Sequence, residues 1–163
     1  MQLLISDANI LIDLEEGHLI ELMFKLPYQF AIPDILFVEE LEDEHEVLKD
    51  YGLQLAELSA ETMMYAMALI PRYRKASRND CFALALAAKE ECTLLTGDKA
   101  LRNAAENESV MVRGTLWLVE LMVRQHLINI EQAREAYQRM KEADRRLPWA
   151  VADAILKELE NEF

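Results

Sequence analysis

The sequence is poor in the residues that punctuate or staple a chain. It has 4 Gly and 4 Pro in 163 residues, which excludes fibrous and low-complexity architectures. Its 2 Cys, Cys81 and Cys92, sit in or beside apolar runs. They read as reduced residues of a cytoplasmic protein rather than as a disulfide framework. No Gly-rich phosphate loop and no nucleophile elbow is present. No uninterrupted apolar run reaches the ~18 residues that a membrane span needs. The first apolar stretch carries Asp7 and Asp13 and has no basic leader, so it does not read as a signal peptide. The three histidines, His18, His45 and His126, are scattered and lack zinc-ligand spacing. Positive charge is scarce as well. Lys and Arg total 17 against 30 Asp and Glu, for a net charge of −13. Such a surface repels nucleic acid and anionic membrane at long range. Any nucleic-acid contact must therefore use a local basic patch or bound cations.

Apolar residues make up 52% and charged residues 29%, a composition that folds. A chain of this length buries roughly two thirds of its unfolded surface without disulfides or structural metal. Leu3-Leu4-Ile5 reads as a buried strand, followed by helical spacing over residues 8 to 24 with a break at Gly17. Tyr28 to Ile32 reads as a second strand. Pro33-Asp34 then turns into a helix of about ten residues or more, with Asp34 as its N-cap. Leu53 to Leu58 holds a third strand, and a helix over 60 to 70 ends before Pro71. An Ala- and Leu-rich helix spans 79 to 90, Cys92 to Leu95 is a strand, Asp98 to Asn107 a helix, and Val110 to Val112 a last strand. This β-α order predicts an α/β fold with a parallel sheet and helices on both faces. From Gly114 onward the pattern is all helical: 115 to 126, 131 to 143, and a helix opening at Pro148.

In right-handed β-α-β units the segments leaving strand ends gather at the carboxyl edge of the sheet, where open α/β folds bind ligands. Four acids map there. Asp7 follows the first strand. Glu39 lies about five residues into the helix after the second, in an acidic run that includes Glu40. Asp80 opens the Cys81 to Glu90 helix, and Asp98 follows the strand ending at Leu95. A helix of ~12 residues descends ~18 Å and the next strand climbs back, so Asp80 and Asp98 return to one level. Asp80 also shares a face with Ala83, Leu84 and Ala87, and an acid at the mouth of a buried face must pair with a cation or be neutralised. Each acid has a local role open to it. Asp7 and Asp98 can cap the helices they precede, Asp80 can complete a capping box with Ser77, and Glu39 can be a solvated charge. Their convergence argues for a shared site. An all-oxygen set suits Mg²⁺ or Mn²⁺, which would activate water and stabilise the charge of a phosphodiester displacement.

Three segments together resemble the PIN-domain ribonucleases, which include the VapC-type toxins of toxin–antitoxin pairs: Ser6-Asp7-Ala8-Asn9-Ile10-Leu11-Ile12-Asp13, Asn79-Asp80 through Ala88, and Leu94-Leu95-Thr96-Gly97-Asp98-Lys99. The resemblance spans residues 1 to about 112. It implies a Rossmann-like three-layer α/β/α domain over 1–112, and the tail from Gly114-Thr115-Leu116 resembles the helical C-terminal extension (113–163) of one subfamily. It also implies cleavage of RNA with Mg²⁺ or Mn²⁺. Asp7, Glu39, Asp80 and Asp98 match the acidic catalytic and metal-holding quartet, with Asn9 and Thr96 as supporting polar positions. Glu40 stands one residue from the weakest match, and Pro33 replaces the serine common in the family. An antitoxin partner and a homodimer also follow from the resemblance. Apolar faces of the 60 to 70 helix and of the tail are available for the latter.

Beside Asp80, the segment Pro71 to Ser77 and Arg78 holds Arg72, Arg74, Lys75 and Arg78 and no acid. It reads equally as a phosphate grip for RNA, with Tyr73 to stack on a base, or as a basic helix end stabilised by the macrodipole. Lys99 and Arg102 can add to it. Met63, Met64 and Met67 read as helical packing, and Trp117 and Trp149 as anchors of the tail. Two other readings remain. One is a non-catalytic PIN-fold protein acting through protein partners, its acidic cleft receiving a basic peptide. The other, an aspartyl-nucleophile phosphohydrolase, usually needs a second Asp where Asn9 stands.

Overall fold

In a computed structural model that describes residues 1–163, the run Leu3-Leu4-Ile5 forms β1 (Gln2–Ser6), with Leu4 and Ile5 fully buried. The other strands are β2 (Tyr28–Pro33), β3 (Gln54–Ala56), β4 (Thr93–Leu95) and β5 (Val112–Arg113). They form one sheet in the order β3-β2-β1-β4-β5, and every pairing is parallel. A parallel sheet is covered on both faces, which is why Phe30-Ala31-Ile32 and Leu94-Leu95 are continuous apolar runs rather than alternating ones. The chain builds outward from β1 through β2 to β3, then crosses back to β4 and β5. The order therefore reverses between β1 and β4, and a crevice opens at their carboxyl ends.

The break after α1 (Ala8–Glu16) falls at Gly17 as the sequence predicts, before α2 (Ile20–Met23). The left-handed residue is the next one, His18, at φ 59°. Gly17 serves close packing instead, since a Cβ there would come within 2.6 Å of Met140 Cε. After β2 the structure departs from the expected single helix. Pro33 (φ −54°, ψ 134°) takes the capping position, and Asp34 is the first helical residue of α3 (Asp34–Leu36). The proline ring holds φ at a helical value while ψ stays extended, so Asp34 falls one residue late. Its carboxylate accepts the Ile35 N–H at 2.8 Å. The helix then widens into a π-turn, Phe37–Leu41, before α4 (Glu42–His45) and the short α5 (Leu48–Tyr51). Phe37 and Leu41 are buried, and Val38, Glu39 and Glu40 face outward.

α6 (Ala60–Arg72) runs through Pro71 rather than ending before it. The proline sits in the last turn, where it removes a single hydrogen bond, and Tyr73 N–H still reaches Leu69 C=O at 2.9 Å. Met63 packs against the core, but Met64 and Met67 are exposed, contrary to the packing role expected of all three. α7 (Arg78–Lys89) is buried without interruption from Cys81 to Ala87, and its alanines let the sheet and α6 approach it closely. Next come α8 (Lys99–Asn107) and three tail helices, α9 (Thr115–Arg124), α10 (Ile130–Glu142) and α11 (Trp149–Glu162), the last capped by Pro148. Leu118, Met122, Ala136, Met140 and Leu156 of the tail belong to the same apolar cluster as the sheet. Trp117 packs on Tyr28 and Trp149 on Tyr137, each at 5.8 Å between ring centres. No helix is long and apolar enough to cross a membrane.

Candidate active site at the carboxyl edge

Asp7 leaves the carboxyl end of β1, its N–H bonded to Leu95 C=O of β4 at 3.0 Å. It therefore stands on the reversal point of the sheet. It is 3% exposed. Oδ1 accepts the Ile10 N–H at 3.0 Å, capping α1, and Oδ2 accepts the Thr96 hydroxyl at 2.5 Å. Thr96 also takes the Asp98 N–H on its Oγ1 at 3.1 Å, so one hydroxyl links the two acids across the crevice. Burial pushes the Asp7 carboxyl up to about 7, against the pull of these two bonds; the charges of Asp80 and Asp13 add to the rise.

Asp80 and Asp98 hold the local roles open to them and still border the same crevice. Ser77 and Asp80 form a reciprocal capping box, with Ser77 N–H on Asp80 Oδ2 at 3.1 Å and Asp80 N–H on Ser77 Oγ at 3.0 Å. Asp98 caps α8 through Oδ2, which accepts the Leu101 N–H at 2.8 Å. Such caps use one oxygen and fix the direction of the other. Burial raises the Asp80 carboxyl, and the Asp98 charge raises it further. Glu39 is held differently. Its carboxylate accepts Asn79 Nδ2 at 2.9 Å and Arg78 at 2.7 Å, and these bonds lower its pKa. Glu40 accepts the same Asn79 amide at 3.0 Å. Burial raises its carboxyl, with the charges of Asp80 and Glu39 contributing. The acid of this helix that feels Asp80 is thus Glu40.

The donor set fits a hard divalent cation in chemistry. It is all oxygen, its most buried member resists ionising without a positive partner, and Asn79 Oδ1 is buried with no hydrogen-bond donor. As the side chains stand, no three acids, histidines or cysteines come close enough to surround an ion.

The family model described as DUF3368, a PIN domain, matches residues 3–161. The chain belongs to the PIN-domain family. A solved structure of a PilT N-terminus domain protein, SSO1118, from the hyperthermophilic archaeon Sulfolobus solfataricus P2 is similar in fold at 16% identity. Its TM-score is 0.51, covering 72% of this chain and 90% of that one. No curated protein matches this chain. The three-layer arrangement around the parallel sheet is that of a PIN domain, generally a nuclease fold.

Two features of this PIN domain lay outside the sequence reading. Asp13, on the buried side of α1, binds Arg145 Nε at 2.6 Å and the Thr115 hydroxyl at 2.8 Å. Asn9, expected to support the quartet, is exposed and accepts Arg145 through its backbone oxygen at 3.3 Å and its side-chain oxygen at 3.2 Å. A buried acid on the core face of α1 was the available signal that a distant cation was needed. In the basic segment, Arg72 pairs with Glu108 at 3.0 Å and Arg78 with Glu39 at 2.7 Å, while Arg74 and Lys75 make no ion pair. Tyr73 is committed as well, its hydroxyl donating to Glu108 at 2.5 Å.

Proposed function

We propose that this PIN-domain protein is a Mg²⁺- or Mn²⁺-dependent endoribonuclease working at the carboxyl edge of its sheet. The observation that carries the reading is Asp7: a buried carboxylate at the reversal point, bonded to Thr96 and in the field of Asp80. Asp7, Asp80 and Asp98 would hold the cation, with Glu40 ahead of Glu39 as the fourth acid. A bound cation would supply Lewis-acid stabilisation of the phosphate's developing charge. Thr96 keeps the Asp7 and Asp98 segments in register, and the caps on α1, α7 and α8 hold the carboxylates at the crevice. Asn79 fixes Glu39 and Glu40 beside it. If the protein is the toxin of a toxin–antitoxin pair in the cytoplasm, a basic peptide of its inhibitor fits the acidic edge by charge.

The test is cleavage of a labelled RNA with each metal, by the native chain and by Asp7→Asn. Metal-dependent cleavage by the native chain and none by a folded Asp7→Asn variant is expected. Undiminished cleavage by the variant removes Asp7 from the chemistry.

A further inference from the structure

Arg74, Arg102, Arg113 and Arg146 are the arginines outside the ion-pair set. In a chain with 30 acids and 17 bases, an arginine without a carboxylate partner is the exception. Three of these, Arg102, Arg113 and Arg146, line one groove of about 390 Å³ that begins at Thr96 and Gly97. A second cleft of about 370 Å³ holds Asn9, Asp13 and Asp98 and shares Gly97 and Arg146 with the first. The two hollows adjoin: Asp13, Asp98 and Asp144 line the one together with Arg145 and Arg146, and guanidinium groups without a carboxylate partner line the other.

The arginines come from three parts of the chain and are held in different ways. Arg102 projects from the first turns of α8, just after the Asp98 cap. Arg113 ends β5 and lies over the Trp117 ring at 5.9 Å, a contact that orients the cation while leaving its donors free. Arg146 lies in the α10–α11 connection, beside Arg145. The Arg145–Asp13 pair at 2.6 Å pins that connection onto α1, so Arg146 is delivered to the groove by a fixed neighbour.

We infer that this groove grips the phosphate backbone of a single-stranded RNA running past the acidic edge, and that the helical tail contributes to the grip through Arg146. The inference rests on the nuclease reading and specifies its substrate path. Three cations lining one groove neutralise phosphates of a strand lying in it, and the acidic edge alone would repel them. This path is distinct from the Arg72–Arg78 segment, where two of the four bases are already engaged with carboxylates.

The probe is a short fluorescein-labelled oligouridylate. Its binding is followed by anisotropy in full-length chains carrying Asp7→Asn, so that it is not cut. Arg102→Gln, Arg113→Gln and Arg146→Gln should each weaken binding several-fold, and each should lower the salt slope by about 0.7. Arg146→Lys should restore most of the affinity. Lys25→Gln, an equal charge change at the opposite edge of the sheet, should do nothing. Melting curves check that each variant folds, which their lack of ion pairs predicts. A triple variant that binds like the Lys25→Gln control overturns the inference. Cleavage by chains with native Asp7 separates the two ideas. Native cleavage with an unchanged KM in the triple variant sinks the groove and spares the nuclease. Groove-dependent binding with no cleavage under either metal does the reverse.

Discussion

Arg145 reaches across 132 residues of sequence to place Nε 2.6 Å from Asp13 Oδ1. The pair joins the α10–α11 connection to the first helix. Burial raises the Asp13 carboxyl, while Arg145 and Thr115 pull it down. Arg145→Met removes the counter-charge and leaves Asp13 buried, so it should cost about 3 kcal/mol in urea unfolding near neutral pH. The deficit should shrink as pH falls and the stranded carboxyl, raised by burial, takes up a proton. The double variant Asp13→Asn, Arg145→Met should lose less than the sum of the losses of Asp13→Asn and Arg145→Met alone. Strictly additive losses would mean that the two side chains are independent.

Asp7 makes a second pH-dependent contribution, of known sign. Its pKa rises from 3.8 to about 7 on folding. Between those values the folded chain holds the proton more tightly than the unfolded one. Stability conferred by this group is therefore complete below 3.8, falls as pH rises through the window, and is flat above about 7. Asp7→Asn should remove that slope, so in chelator the variant should gain on the native chain with rising pH and lead by a few kcal/mol above neutrality. Mn²⁺ should stabilise the native chain more than the variant, because the variant lacks the buried carboxylate whose charge the ion would offset. Parallel pH profiles for the two chains would refute the burial argument.

The sequence made the strand-end acids readable because a strand ending in a helix cap fixes its junction residue in space. Asp7 and Asp98 are both such residues. Glu39 and Glu40 were not separable, because the π-turn at Phe37–Leu41 breaks the 3.6-residue period on which helix-face arguments depend. The Asp13–Arg145 pair was hidden by its separation along the chain. Helix ends were blurred for a compositional reason. With 4 Gly in the chain, the left-handed turns after α1, α7, α8, α9 and α10 fall on His18, Glu91, Ser109, His126 and Asp144, none of them the residue that usually marks such a stop.

Those turns carry strain that a glycine would relieve. Glu91 sits at φ 52° after α7, exposed, with Cys92 N–H closing onto Ala87 C=O at 3.0 Å. The left-handed conformation costs a side-chain-bearing residue about 1 kcal/mol or more, partly offset by the greater freedom of glycine in the unfolded chain. Glu91→Gly should therefore stabilise by about 0.5–1 kcal/mol, a rise of a few degrees in Tm. A fall in Tm would show that the Glu91 side chain contributes more than its backbone costs.

The two glutamates of the π-turn have different surroundings. Asn79 Nδ2 donates to both Glu39 and Glu40, at 2.9 and 3.0 Å, but only Glu39 is neutralised by Arg78. Glu40 lies in the field of Asp80 with no cation of its own, the state of a carboxylate that a divalent ion would stabilise. Glu40→Gln should therefore lower metal-dependent cleavage by about tenfold or more and weaken Mn²⁺ binding. Glu39→Gln should mainly free Arg78, with a smaller effect on rate and little on Mn²⁺ affinity measured by calorimetry. The reverse ranking would assign the fourth acid to Glu39 and make Glu40 the solvated charge.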